Sequence, residues 1–104
     1  MERACFTLTL VPGTEEEYDR RHRHVWPELI AAIQAAGLRN FAGFRRGTDV
    51  VYYVECHPTR DEAFRRIDAE EINARWTAYF DGIIEARNDP TGRMFFLEEM
   101  SHVD

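Results

Sequence analysis

The segment TEEEYDRRHRHVWPE, residues 14–28, combines the clearest structural and chemical signals in the chain. Thr14, followed three residues later by Glu17, predicts a capping box at the start of a helix. The three glutamates in its first turn suit the positive end of the helix dipole. Tyr18 and His22 are four residues apart, so the helix places them on one face, one turn from each other. Both side chains can exchange protons, which makes this face a candidate reactive surface.

The helix is not expected to continue unbroken to the end of this segment. Pro27 lacks a backbone N–H, which predicts a kink or a new helix start near His24. Tyr18, His22 and Trp26 form one aromatic face, and most such faces belong to a hydrophobic core. Clustered titratable groups indicate a functional site only with some probability. Arginines at positions 20, 21 and 23 lie in the same turns, and such a charged setting does not suit a hydrophobic core. We therefore take Tyr18 and His22 as candidate functional residues.

The rest of the chain alternates between strand and helix patterns. Cys5, Thr7 and Thr9 form a small, partly hydroxylated side of the first strand, which we expect to line a pocket. Thr59 and Asp68 each precede a glutamate by three residues, which predicts two further capping boxes. The predicted elements are a strand over 3–11, the helical segment to 36, a hairpin over 38–46 and 49–56, a short helix after 59, a helix over 69–87 and a strand over 93–100.

This order, β-α-β-β-α-β with a split second helical region, predicts an α+β protein with the ferredoxin-like arrangement. We expect one domain over residues 1–104. The strands are apolar on both sides, whereas the helices can cover only one face of the sheet. The simplest cover for the other face is a second copy, so we predict a C2 homodimer in which two sheets form a dimeric α/β barrel.

Composition narrows the possible functions. With a net charge of −6 and a pI near 5.2, the chain is not expected to bind nucleic acid. No apolar run approaches the length of a membrane span, and the N-terminus leads directly into a strand pattern, so we expect a cytoplasmic protein with no membrane partner. Cys5 and Cys56 are expected to be buried thiols, and no metal-binding spacing is present.

Missing residue types narrow the chemistry further. The chain contains no lysine, which excludes Schiff-base and P-loop chemistry by its own residues. Its one serine, Ser101, lies outside any nucleophile-elbow context, and no glycine-rich dinucleotide motif occurs. The remaining chemistry belongs to histidine, carboxylates, tyrosine or bound solvent, and we expect no cofactor.

The pattern Tyr-x-x-Arg-His-x-x-x-Trp-Pro-Glu, which ends at Glu28, resembles the L-rhamnose mutarotase family. The tail over residues 97–104 also resembles that family's closing strand, Leu-x-Glu-Val-Phe-His-Leu-Asp, with departures at Met100 and Ser101. The resemblance implies that His22 is the proton donor and that Tyr18 contacts the sugar.

Three further positions of the family's sugar site can be placed in this chain. Trp76, in the Arg75-Trp76 pair, matches a sugar-contacting tryptophan. Thr77 stands where the family usually has a second tryptophan, and Phe41 stands where it usually has a tyrosine. The first change enlarges the pocket and the second removes one hydroxyl. Both changes affect the expected sugar more than the expected reaction.

The resemblance implies an isomerase that interconverts the anomers of a 6-deoxy aldose, by default L-rhamnose. A histidine with an ordinary pKa near 6.5 can act as acid or base at neutral pH. Water or a nearby carboxylate would take the proton from the anomeric hydroxyl. Two alternatives share the fold: a cofactor-free monooxygenase and a non-catalytic sugar-binding dimer.

Overall fold

A computed structural model describes residues 1–104. The chain forms five strands and four helices. Their bounds are β1 Glu2–Leu10, α1 Glu15–His22, α2 Pro27–Ala35, β2 Leu38–Arg46, β3 Asp49–Cys56, α3 Arg60–Asp68, α4 Glu71–Tyr79, β4 Ile84–Ala86 and β5 Phe95–Leu97. None of the four helices combines the length and apolarity needed to cross a bilayer.

The strands form one antiparallel sheet in the order β2-β3-β1-β4, and β5 also pairs with β1. This confirms the predicted α+β, ferredoxin-like arrangement. The core lies between one face of the sheet and the helices: Ala4 and Phe6 of β1 pack with Val54 of β3 and with Ala63 and Ile67 of α3. β1 therefore buries every second residue, as its alternating pattern predicts.

The prediction of a pocket on the opposite side of β1 is wrong. The cavity described below is lined by Phe6 and Leu8, whereas Cys5, Thr7 and Thr9 point to the sheet face that no helix covers. The helices need the larger apolar side chains for packing, so the space between the layers opens on that side of the strand.

The break in the first helical region is confirmed. α1 ends at His22, and α2 begins with Pro27 in its first turn, where the missing N–H has no helical partner to lose. The predicted capping box is wrong, because the Thr14 hydroxyl donates to the carbonyl of Val11 at 2.7 Å instead of capping α1. Glu17 is committed to the guanidinium groups of Arg20 and Arg21, which hold its pKa at about 2.

The hairpin bounds are those predicted, whereas the C-terminal third departs from expectation. α4 ends at Tyr79 because the chain turns through Gly82, whose φ is +82°, and then forms β4 against β1. β5 is a short strand that ends at Leu97, and beyond it the chain is tied to β1 only by the side chains of Arg3 and Glu99, 2.7 Å apart.

The two later capping boxes have different outcomes. Thr59 accepts a hydrogen bond from the backbone N–H of Glu62 at 3.2 Å, which confirms its predicted N-cap role. Asp68 does not cap the next helix, because it still belongs to α3, and Glu70 occupies the N-cap position instead.

Candidate active site

A cavity of about 680 Å³ lies between the helices and the covered face of the sheet. All five predicted site residues line it: Tyr18, His22, Phe41, Trp76 and Thr77. They come from α1, β2 and α4, so the fold gathers residues that are nearly 60 positions apart in sequence. The walls are mostly apolar with a few polar groups, the usual composition of a small-molecule site.

α1 presents Tyr18 and His22 together, as their spacing predicts. Their ring centroids are 4.2 Å apart, and His22 Nδ1 lies 3.1 Å from the backbone oxygen of Tyr18. Arg21 fastens this helix to α4, because its guanidinium stacks on the Tyr79 ring at 4.4 Å and donates to the Tyr79 carbonyl. The reactive face is therefore attached to the helix that carries the tryptophan.

Tyr52 completes a hydrogen-bonded group that sequence reasoning missed. Its hydroxyl lies 2.5 Å from the Tyr18 hydroxyl and 3.0 Å from His22 Nε2. Tyr52 pairs with Phe6 across the sheet and so points to the covered face. The alternation of β3, which puts Tyr52 on the same side as the buried Val50 and Val54, was the signal that could have identified it.

Trp76 and Thr77 line the cavity from α4, beside the helix that carries Tyr18 and His22. The Trp76 ring meets His22 edge-on, with centroids 5.4 Å apart and planes at 80°. Trp26, the N-cap residue of α2, packs edge-on against Trp76 at 5.0 Å and holds that ring in place. The result is a flat apolar surface beside the histidine.

Phe41 enters the cavity from β2 at a local irregularity of the strand. The pairing of β2 with β3 shifts between Arg39 and Ala42, and Asn40 has a φ of 51°. The bulge turns the Phe41 ring towards the covered face, where it meets the edges of Phe6 and Tyr52 at 6.1 and 5.6 Å. This side of the cavity offers a ring without a hydroxyl.

Burial sets the protonation states of the central groups. It lowers the pKa of His22, partly opposed by the Tyr18 carbonyl, so the imidazole is neutral at pH 7. Burial also raises the pKa of Tyr18 and of Tyr52, which keeps both phenols protonated. The site thus contains a neutral imidazole and two neutral hydroxyls.

Two further charged residues line the cavity and were not anticipated as site residues. Asp68 projects from the end of α3, and burial raises its pKa. Arg87 follows β4, and desolvation lowers its pKa although the two phenols and Asp81 favour its charge. Asp19, by contrast, has both oxygens engaged by the Arg45 guanidinium, at 2.8 and 2.5 Å.

The remaining histidines lie away from the cavity. His24 is exposed in the turn after α1, His57 follows β3, and His102 is near the C-terminus, 3.5 Å from Asp104. Both cysteines are unpaired: Cys56 is fully buried and Cys5 is half-buried. No cluster of three or more His, Cys, Asp or Glu side chains is placed to hold a metal ion.

Comparison with known proteins points in one direction. The model of the L-rhamnose mutarotase family matches residues 3–103. The chain is 29% identical to an L-rhamnose mutarotase of Burkholderia ambifaria, over 93% of this chain and 99% of the relative. It is 30% identical to one of Verminephrobacter eiseniae, over 99% and 97%. The crystal structure of an L-rhamnose mutarotase from Formosa agariphila has the same fold, with a TM-score of 0.80, 20% identity and full coverage of both chains.

Proposed function

This chain belongs to the L-rhamnose mutarotase family, and from that premise we propose that it interconverts the α and β anomers of L-rhamnose with His22 as the proton donor. The observation that carries the proposal is the meeting of Tyr18, His22 and Trp76 in one cavity. The reaction is an isomerisation, which requires acid and base groups and needs no change of oxidation state.

The chemistry of ring opening matches the groups that line the cavity. The bond between C1 and the ring oxygen breaks as that oxygen takes a proton, while the anomeric hydroxyl loses one and becomes the aldehyde. After rotation about the bond between C1 and C2, the reverse steps close the ring as the other anomer. Burial lowers the pKa of His22, so its protonated form gives up a proton readily, which suits the acid role.

The base is proposed to be Asp68 or a water that it holds. Asp68 lines the cavity and forms no ion pair, and its raised pKa brings it closer to that of a useful base. Asp19 is the poorer candidate, because Arg45 occupies both of its oxygens and holds its pKa low.

The sugar itself is proposed to lie against the apolar part of the cavity. The Trp76 face can cover the C–H face or the 6-methyl group of a deoxy sugar, and Tyr18 can orient it. Thr77 and Phe41 shape the remaining wall. Because Phe41 has no hydroxyl, the hydrogen bonds to the sugar on that side must come from other groups.

A homodimer is part of the proposal, because the second face of the sheet is apolar and uncovered. Across the four strands, Phe44, Val51, Thr7 and Phe95 share one row of this face, and Leu97 lies in the next. Phe44 is 66% exposed, Leu97 49% and Phe95 37%. A second copy, packed through the same face, would cover these rings and complete a dimeric α/β barrel.

Exchange NMR on the anomeric protons of L-rhamnose tests the reaction. Wild type and His24→Ala should both give exchange cross-peaks beyond those of buffer, whereas His22→Ala should not. His24 is the matched control, since it lies two residues away and is exposed. Equal exchange in all samples and in buffer would refute the proposed reaction with this sugar.

The mass in solution tests the dimer. Light scattering should give twice 12.2 kDa for wild type and a single chain for Phe44→Glu, because the substitution places a charge in the apolar row. Phe44→Leu is the matched control and should remain dimeric. A wild type that stays monomeric at high concentration would contradict this part of the proposal.

A further inference from the structure

The position of the Tyr52 hydroxyl between two other site groups carries an inference beyond the roles proposed above. It lies 3.0 Å from His22 Nε2 and 2.5 Å from the Tyr18 hydroxyl, so it joins these two atoms by hydrogen bonds. His22 Nε2 is therefore hydrogen-bonded to a protein group. Any proton that this nitrogen gives or takes is exchanged with the Tyr52 hydroxyl.

The direction of these hydrogen bonds follows from the partners. The backbone carbonyl of Tyr18 can only accept, so His22 Nδ1 carries the proton of the neutral ring and Nε2 presents its lone pair. The Tyr52 hydroxyl then donates to Nε2. Having used its proton, it accepts from the Tyr18 hydroxyl. In the resting site, the chain of donors runs from Tyr18 through Tyr52 to His22.

Protonation of His22 reverses the chain. The imidazolium Nε2–H donates to the Tyr52 oxygen, Tyr52 donates to Tyr18, and the Tyr18 hydroxyl is free to donate into the cavity. The same three groups therefore accept a proton in one state and deliver it in the other. Each reversal requires only rotation or a single proton transfer at each oxygen.

The surroundings hold the Tyr52 ring in this place. It stacks on Phe6 at 5.3 Å, with planes at 23°, and Phe41 meets it edge-on. On the neighbouring strand, Gly43 leaves the room that the ring occupies, since a Cβ there would lie 2.5 Å from Tyr52 Cε1. Phe41 has no hydroxyl, and the tyrosines that line the cavity are Tyr18 and Tyr52. These two therefore supply its phenol groups.

We propose that Tyr52 is a positioning residue that acts through His22, holding its Nε2 atom in place and relaying its proton to Tyr18. This inference rests on the proposed function. In the acid step, which begins from protonated His22, His22 passes its Nε2 proton to Tyr52, Tyr52 passes its own to Tyr18, and Tyr18 gives its proton to the sugar ring oxygen. The electrons of the broken C1–oxygen bond remain on that oxygen, and the anomeric proton leaves to the base.

Tyr52→Phe tests the inference, with Tyr53→Phe as the matched control. The substitution keeps the ring and removes only the hydroxyl. Tyr53 is the next residue of the same strand, but its hydroxyl donates to Glu55 at 2.8 Å on the other face. For L-rhamnose exchange, kcat of Tyr52→Phe should fall roughly 10- to 150-fold, the effect of one hydrogen bond to a charged group, with KM nearly unchanged. Tyr53→Phe should match wild type.

A spectroscopic readout separates this role from a purely structural one. In 15N-histidine NMR, the signal of the unprotonated His22 Nε2 should shift towards that of a free lone pair in Tyr52→Phe and stay in place in Tyr53→Phe. A fall in kcat together with this shift supports the relay. Unchanged kcat, or a fall in kcat without the shift, overturns it.

The measured rates distinguish a failure of the relay from a failure of the proposed function. If wild type accelerates exchange and Tyr52→Phe does so equally, the proposed function stands and the relay is wrong. If wild type accelerates no exchange of L-rhamnose, the proposed function is wrong, and the relay that rests on it is overturned as well.

Discussion

Replacement of Gly43 by alanine should destabilise the protein only when the Tyr52 ring is present. The new Cβ would lie 2.5 Å from Tyr52 Cε1, 3.0 Å from Cδ1 and 3.1 Å from Cζ. Ordinary contact begins at 3.4 Å, so the ring must move by 3.4 − 2.5 = 0.9 Å. It cannot move freely, because it is stacked on Phe6 and hydrogen-bonded to Tyr18 and His22.

The expected magnitude follows from two opposing effects. Overpacking of this kind costs about 1–3 kcal/mol. Alanine is more stable than glycine in a strand by about 0.5–1 kcal/mol, because it loses less backbone entropy on folding. The net change in the free energy of unfolding of Gly43→Ala should therefore be a loss of roughly 1 kcal/mol. With Tyr52→Ala already present, the same change should stabilise by about 0.5–1 kcal/mol.

A double-mutant cycle measured by chemical denaturation tests this reasoning. The four proteins are wild type, Gly43→Ala, Tyr52→Ala and the double variant. The coupling between the two substitutions should be about 1–3 kcal/mol, because the cycle cancels the cavity left by Tyr52→Ala. If Gly43→Ala changes the free energy of unfolding equally in both backgrounds, the contact does not constrain the ring and the reasoning is refuted.

Three further predictions concern single groups. Burial lowers the pKa of His22, so below pH 6.5 the unfolded chain binds more protons than the folded one. The contribution of His22 to stability is therefore present above pH 6.5 and is lost as the pH falls through the lowered folded-state pKa. An NMR titration should place the His22 midpoint below 6.5, and a midpoint above it would contradict this. Burial raises the pKa of Cys56 to about 11, so thiol labelling at pH 8 should reach it only after denaturant is added, and mass spectrometry of Cys5→Ser would reveal any labelling of the folded chain. Phe41→Tyr adds a hydroxyl to the cavity wall and should tighten L-rhamnose binding roughly 2- to 10-fold, the effect of one neutral hydrogen bond, whereas Phe95→Tyr on the other face should not.

The local signals in the sequence account for much of the fold. The hairpin over 38–56 was predictable because strongly β-forming residues flank a Gly-containing turn. The break before Pro27 was predictable because proline cannot donate a helical hydrogen bond. The end of α4 at Tyr79 was not, because the apolar spacing continues past it. Gly82 ends the helix there, and β4 then pairs with a strand from the other end of the chain.

The site was predictable only where its residues share a helix or match the family pattern. Tyr18 and His22 are four residues apart on α1, so their proximity follows from helical geometry. Tyr52 comes within hydrogen-bond distance of them through the register of β3 on β1, which no local pattern encodes. Asp68 and Arg87 reach the cavity from the ends of α3 and β4, whose positions depend on tertiary packing.

The most direct test of the central claim is the rate of L-rhamnose anomer exchange with wild type and with His22→Ala, measured side by side by saturation-transfer NMR at equal enzyme concentration. Loss of a general acid should lower the enzyme-dependent rate by roughly 10²- to 10⁴-fold, while circular dichroism shows an intact fold. An enzyme-dependent rate that survives the substitution unchanged would contradict the assignment of His22 as the proton donor.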